Sequence, residues 1–202
     1  MRALRFESFG GPSALRLVEI PDLRADDGMA IVRIEAASIN PSDVKNVQGA
    51  MEGTTLPRTP GRDFAGVVEH GPADWLGARV FGTGGDLGFT VDGSHAEAIA
   101  VAVSALTRTP DRLTAAEAAS VGVTSVVAWQ GLIDYAALAY DEVVAIVGVS
   151  GGVGSAVAQL ARWRGASKII GIDRVAPAPG SPAERTIDAF LPVSDGLVDA
   201  IR

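Results

Sequence analysis

The apolar run Val143-Val144-Ala145-Ile146-Val147, together with the glycine-rich turn directly after it, restricts the fold more than any other part of the 202-residue chain. Five consecutive apolar residues without alternation predict a strand buried on both faces, as in a parallel sheet. Glycines stand at 148, 151, 152 and 154. Next comes a helical pattern with Val153, Val157, Leu160 and Ala161 on its inner side, and Gly165 stands where it should stop. Lys168-Ile169-Ile170-Gly171-Ile172 predicts the next strand, so the segment reads as one βαβ unit of about thirty residues. Ala176 to Pro182 carries three prolines and predicts a surface loop. Ala189-Phe190-Leu191 predicts a third strand, and Gly196 to Arg202 the first turns of another helix.

Upstream the texture differs. Val32, Ile34 and Ala36 alternate with Arg33 and Glu35, and short apolar runs recur at 64–68, 78–81 and 96–103 between glycine- and proline-rich turns. Short strands punctuated in this way predict a barrel or sandwich. The change comes near Leu113, where Thr114 and Glu117 have capping-box spacing before an alanine-rich run. A second helical stretch is expected from Ser125 to Tyr135, with Leu132 and Ile133 on the same face as Trp129, which reads as core. The chain is thus expected to hold a β-rich domain over 1–120 and an α/β domain over 121–202.

The 48% hydrophobic content supplies a sizeable core. The formal charge of -7 argues against nucleic acid and anionic membranes as partners. There is no cysteine, which excludes disulfides, thiol catalysis and cysteine-ligated metal. His70 and His95 read as turn or surface residues, Asp63 as a surface partner of Arg62 or Arg58, and Arg162 and Arg164 as a solvated helix face. With neither a signal-peptide pattern nor an apolar stretch of membrane-spanning length, a cytoplasmic protein is expected.

The turn Gly148-Val149-Ser150-Gly151-Gly152-Val153-Gly154 admits several readings. A dinucleotide site uses glycines to bring backbone against a pyrophosphate at a helix N-terminus. The G-x-G-x-x-G form is broken by Val149, but Gly148-x-x-Gly151-x-x-Gly154 is a relative of it, and Asp173 ends the next strand where an acid holds ribose hydroxyls. A P-loop needs a lysine after the last glycine, and Ser155 stands there instead. Gly148-x-Ser150-x-Gly152 also matches a nucleophile elbow, but no histidine comes after Ser150. A turn serving only helix–strand packing is the remaining alternative.

Several separated segments resemble the medium-chain dehydrogenase/reductase superfamily, in its zinc-independent quinone oxidoreductase (zeta-crystallin-like) branch. Ala37 to Asp43 resembles the I-N-P-x-D segment, and Pro60 to Val68 the P-G-x-D-x-A-G-V-V strand. Gly77 to Gly82 resembles the turn into the next barrel strand, Ala118-Ala119, Val123-Thr124 and Ala128-Trp129 the bridge to the cofactor domain, and Ser150 to Gly154 the cofactor signature. The resemblance implies a GroES-like barrel followed by a Rossmann domain, a doubly wound parallel sheet that is incomplete here. It implies hydride transfer between NAD(H) or NADP(H) and a quinone or an activated double bond or carbonyl. A non-catalytic dinucleotide module or redox sensor is the alternative.

By the same resemblance, Asn40 and Asp43 are the catalytic-site residues, Asn40 beside the nicotinamide and Asp43 ordering its loop. Thr124, Ser150, Gly151, Gly152, Val153, Gly154, Asp173 and Arg174 join Asn40 in binding the cofactor. Capping a turn is the plainer reading of Asn40 and Asp43. Asp173 favours NAD(H) over NADP(H), although Arg174 beside it suits a 2′-phosphate. Arg62 stands where zinc-using relatives carry a ligand histidine, so no zinc is expected. No tyrosine comes after the Asn-Pro segment over 44–52, which leaves a dedicated proton donor unassigned. The implied partners are a small-molecule electron acceptor and, at full length, a second copy in a homodimer. Three expected strands are half of such a sheet, so a longer parent enzyme is also expected.

Overall fold

A computed structural model describes residues 1–26 and 28–194, and the chain divides into two units, Met1–Val123 and Thr124–Arg202. The helix expected over 196–202 lies outside the described residues.

In the first unit β1 (Arg2–Arg5) pairs antiparallel with β2 (Arg16–Glu19). A second sheet holds β3 (Met29–Ala37), β4 (Asp63–His70), β5 (Arg79–Thr83), β6 (Ala98–Ala102) and β7 (Thr107–Arg108), in the antiparallel order β6-β3-β4-β5-β7. The GroES-like region is therefore sheet-rich, as expected, but among the described residues its sheets are open rather than closed into a barrel. β7 has only two residues and β1 reaches this sheet's chain segment through the single bridge Ala3–Ala96, too few ladder bonds to close it. The alternation in β3 places Val32 inside and Arg33 and Glu35 outside. Val32 packs with Phe64, Val68, Val80, Ile99 and Val101 in the core between strands. Each such side chain contributes roughly 1.5–3 kcal/mol by leaving water.

Asn40 precedes the short helix α1 (Pro41–Val47). Helix α2 (Ala115–Trp129) starts on the expected capping box, in which Glu117 N–H donates to Thr114 Oγ1 and Thr114 N–H to Glu117 Oε2. Its alanines Ala118 and Ala119 let it settle closely on Ala65 of β4. The two helical stretches expected here are one element bent at Gly122 (φ -35°, ψ -120°), followed by a wide turn over Gln130–Tyr135. A Cβ at Gly122 would collide with the Asp63 carboxylate, so only glycine permits this bend.

The second unit is the expected βαβ arrangement. β8 (Val143–Val147), α3 (Gly152–Arg164), β9 (Lys168–Asp173), the short helix α4 (Pro182–Thr186) and β10 (Ala189–Pro192) build a parallel sheet of order β10-β9-β8. Gly165 ends α3 in the left-handed region at φ 93°. Ile146, Val149, Ala158, Ala161 and Ile169 form its core.

Three expectations are corrected here. β8 is an edge strand among the described residues, with Val143 61% and Val147 76% exposed, rather than buried on both faces. Trp129 is 42% exposed and leans on Trp163, ring centroids 5.9 Å apart, so it is not core. Val153 is 38% exposed on the first turn of α3 and so is not on its inner side. Arg162 and Arg164 lie on the exposed face expected of them and also make hydrogen bonds. Arg162 donates to Asp188 Oδ1 and the Thr186 carbonyl at the end of α4, and Arg164 Nε to the Leu138 carbonyl.

A side chain at Gly154 would strike the Gly148 carbonyl, so helix and strand approach as closely as backbone allows. Gly154→Ala is expected to lower unfolding stability by about 2–3 kcal/mol through overpacking. Gly131→Ala, where a Cβ meets nothing within 4 Å, should stay within about 0.5 kcal/mol of wild type. Urea midpoints of the two variants compare them directly, and equal midpoints would show that the approach is not constraining.

Candidate functional site

Gly148 turns the chain out of β8 at φ 79°, a left-handed conformation that glycine adopts freely. Its carbonyl accepts the Gly151 N–H at 3.0 Å, closing the turn. Gly151 then starts α3, its carbonyl accepting the Ser155 N–H at 2.9 Å. The first-turn amides of Gly152, Val153 and Gly154 have no acceptor inside the helix. They carry the positive end of a 13-residue helix dipole. Gly151, Gly152 and Val153 are exposed at this tip, while Gly154 is buried against Gly148. Thr124 lies beside the tip, since a Cβ at Gly152 would sit 3.1 Å from Thr124 Cγ2.

Asp173, the last residue of β9, is joined to this turn. The Ser150 N–H donates to Asp173 Oδ2 at 3.0 Å and the Arg174 N–H to Asp173 Oδ1 at 2.7 Å. These two bonds, the Arg174 amide first, hold the Asp173 carboxyl below the usual aspartate range. The Ser150 hydroxyl donates to the Val175 carbonyl at 2.8 Å. That bond commits the hydroxyl to ordering the loop after β9. The expected residues of the second unit thus come together as a positive backbone cradle with a carboxylate at its side. Such a surface can take a diphosphate at the amides and a hydroxyl pair at the acid.

In the first unit the Asn-Pro segment closes a buried polar network. Asp43 Oδ2 accepts the Asn40 N–H at 2.7 Å, fixing the start of α1. The Asn40 carboxamide nitrogen donates to Asp63 Oδ2 at 2.8 Å. Ser38 Oγ donates to the same oxygen at 2.7 Å. Asp63 Oδ1 accepts the Val123 N–H at 2.9 Å and the Thr83 hydroxyl. Burial pushes the Asp43 carboxyl up, against the Asn40 N–H and the nearby His95, which lower it, and with the help of the Asp63 charge. His95 Nε2 lies 3.0 Å from the Ser38 carbonyl and donates to it, as a carbonyl only accepts. His70 is exposed.

Asp63 therefore corrects the sequence expectation. It is 1% exposed and pairs with no arginine. The apolar residues on its C-terminal side carry it inside at the head of β4, and hydroxyl and amide donors from several segments converge on it there. The available signal was an acid opening the otherwise apolar Phe64-Ala65-Gly66-Val67-Val68 run. Among the described residues no three His, Asp or Glu side chains are grouped as metal ligands would be. No helix of the described residues is long and apolar enough to cross a membrane.

The alcohol dehydrogenase GroES-like domain family matches residues 26–111. A zinc-type alcohol dehydrogenase-like protein of Schizosaccharomyces pombe is 42% identical over 177 residues, which cover 86% of this chain and 54% of the relative. Human quinone oxidoreductase is 34% identical over 181 residues, covering 85% of this chain and 52% of the enzyme. A mycobacterial protein solved in complex with NADPH superposes with a TM-score of 0.82 at 25% identity, over 96% of this chain and 58% of that one. The chain spans about half the length of the curated relatives it matches. With the sheet order, the glycine turn and the Asn-Pro network already in place, the chain is similar over most of its length to members of the medium-chain dehydrogenase/reductase superfamily.

Proposed function

We propose that this chain serves NAD(P)H-dependent hydride transfer to a quinone or an activated double bond or carbonyl, without zinc. The observation that carries the reading is the exposed helix tip at Gly151–Val153 with Asp173 tied to it through Ser150. The NADPH complex of the mycobacterial neighbour and the activity named for the human relative support it. The bound nicotinamide supplies the hydride chemistry. Gly151, Gly152 and Val153 present amides to its diphosphate, Gly154 keeps the tip close to the strand, and Ser150 orders the turn. Thr124 flanks the turn.

Asp173 accepts ribose hydroxyls and repels a 2′-phosphate, so NAD(H) is the proposed form, with the Arg174 side chain as the group that would admit NADP(H). Asp43 is a positioning residue, holding the Asn40 backbone, and Asn40 is the proposed contact to the nicotinamide. Zinc independence rests on the donor set, which has no cysteine and carries Arg62 and Asp63 at the head of β4. A dinucleotide module without turnover is favoured by one fact: the Asn40 amide nitrogen and the Asp43 carboxylate are both already spoken for within the fold.

Fluorescence titration with NADH and NADPH, followed by loss of reduced-cofactor absorbance with a naphthoquinone, separates the two. Binding with decay is the outcome expected of the enzyme, and binding alone marks the module. Asp173→Ala is expected to weaken NADH by about tenfold, or 1.4 kcal/mol, and to weaken NADPH less. Gly152→Ala should weaken both forms, as its Cβ intrudes on the cradle. If neither form binds, the cofactor reading fails.

The Asp43 carboxyl is raised above the ordinary value of 3.8, so its protonated form favours the folded state. The stability of wild type relative to Asp43→Asn should therefore increase as pH falls from neutrality through the raised value and level off below 3.8. Parallel urea titrations of the two proteins across that range measure the difference. A gap that shrinks on acidification contradicts the assignment.

A further inference from the structure

Arg62 stands apart among the half-buried cations of the first unit. Arg5 and Arg58 are also largely covered, and both are neutralised by Asp92, at 3.0 and 3.2 Å. No acidic side chain among the described residues lies within ion-pair distance of Arg62, and its Nε is shut from solvent without an acceptor. A covered donor without a partner is costly, the more so when the group is charged, so such an atom points to a ligand.

The guanidinium is nonetheless held in place. Its carbon lies 5.2 Å from the centroid of the Phe89 ring, and Nη2 reaches the Gly85 carbonyl at a long 3.4 Å. The Gly84 N–H donates to the Arg62 carbonyl at 3.1 Å, which sets the backbone of that loop against it. Side chains at Gly84 and Gly85 would meet nothing within 4 Å, so the loop that receives Nη2 leaves open space over those two residues. A planar fork, stacked on one face and with an edge unclaimed, matches a carboxylate bidentately.

We propose that Arg62 is a binding residue for a carboxylate on the electron acceptor, so that the acceptor class is an α,β-unsaturated acid rather than a neutral enone or quinone. The inference deepens the hydride-transfer reading and rests on it for the reaction. The anion site itself stands on the geometry of Arg62 alone. Arg62 precedes Asp63, whose carboxylate grips Asn40, so an acid held here is bound at the same strand head as the Asn-Pro network.

The test compares trans-cinnamate with trans-cinnamamide, which differ in charge and little in shape, by ¹H–¹⁵N chemical-shift titration without cofactor. Wild type is expected to bind the acid about tenfold more tightly, with the Arg62 Nε resonance and the Gly84, Gly85 and Phe89 amides moving. Arg62→Gln should bind the two alike, and Arg62→Lys should keep a reduced preference for the acid. Equal binding by wild type, shifts confined to other residues, or a preference surviving in a folded Arg62→Gln protein overturns the proposal. So does an Nε resonance indifferent to cinnamate, which would mean the atom holds water only. Should Arg62→Gln fail to fold, the wild-type Nε shift and Arg62→Lys decide. Failure of NADH to bind while the cinnamate preference holds strikes the cofactor reading and leaves this site standing.

Discussion

One carboxylate organises the first unit. Asp63 is buried, pairs with no cation among the described residues, and takes its donors from four residues on three segments: Ser38 and Asn40, Thr83, and the Val123 amide. A buried charge of this kind is tolerated only when its oxygens are saturated with hydrogen bonds. That requirement forces the loop before α1, the end of β5 and the bend of α2 to meet at one point. Gly122 is part of the same constraint, because the carboxylate occupies the volume a side chain would need. Removing any one donor leaves a costly acceptor behind, so the parts of this network hold together or loosen together.

The second unit obeys a different logic, in which charge is developed by backbone. The helix tip concentrates free amides over a few ångströms, and the Gly148–Gly154 contact brings that tip as near to the strand end as atoms permit. Asp173 adds an acceptor of fixed orientation, since both of its oxygens are aimed by amides of neighbouring residues. A cationic surface and an anionic one thus lie side by side, suited to the diphosphate and sugar portions of one ligand. Three glycines serve three separate purposes here, namely a left-handed turn at Gly148, an open face at Gly152 and a backbone contact at Gly154.

Much of this arrangement was legible in the residues. Apolar runs separated by glycines at set intervals specify strand, turn and helix through local sterics and burial alone, so β8, α3, β9 and β10 stand where the pattern puts them. Thr114 and Glu117 cap α2 for the same local reason. Asp63 was misread because its partners come from residues twenty or more positions away, and no local pattern distinguishes a surface acid from one that convergent donors will bury. Trp129 and Val147 were misread for a related reason. An apolar side chain is covered only if another element arrives to cover it.

The amino-acid sequence by itself determined the two textures of the chain, the strand–turn–helix–strand order and the chemical character of the glycine turn. These depend on backbone conformations that glycine, proline and capping side chains dictate over a few residues. Only the tertiary structure decided that the first sheet stays open, that α2 bends rather than breaks, and which polar side chains face inward. It also left Arg62 covered yet unneutralised. Such outcomes are set by which distant segments come within hydrogen-bonding reach, a property of the packed chain and of no single stretch of it.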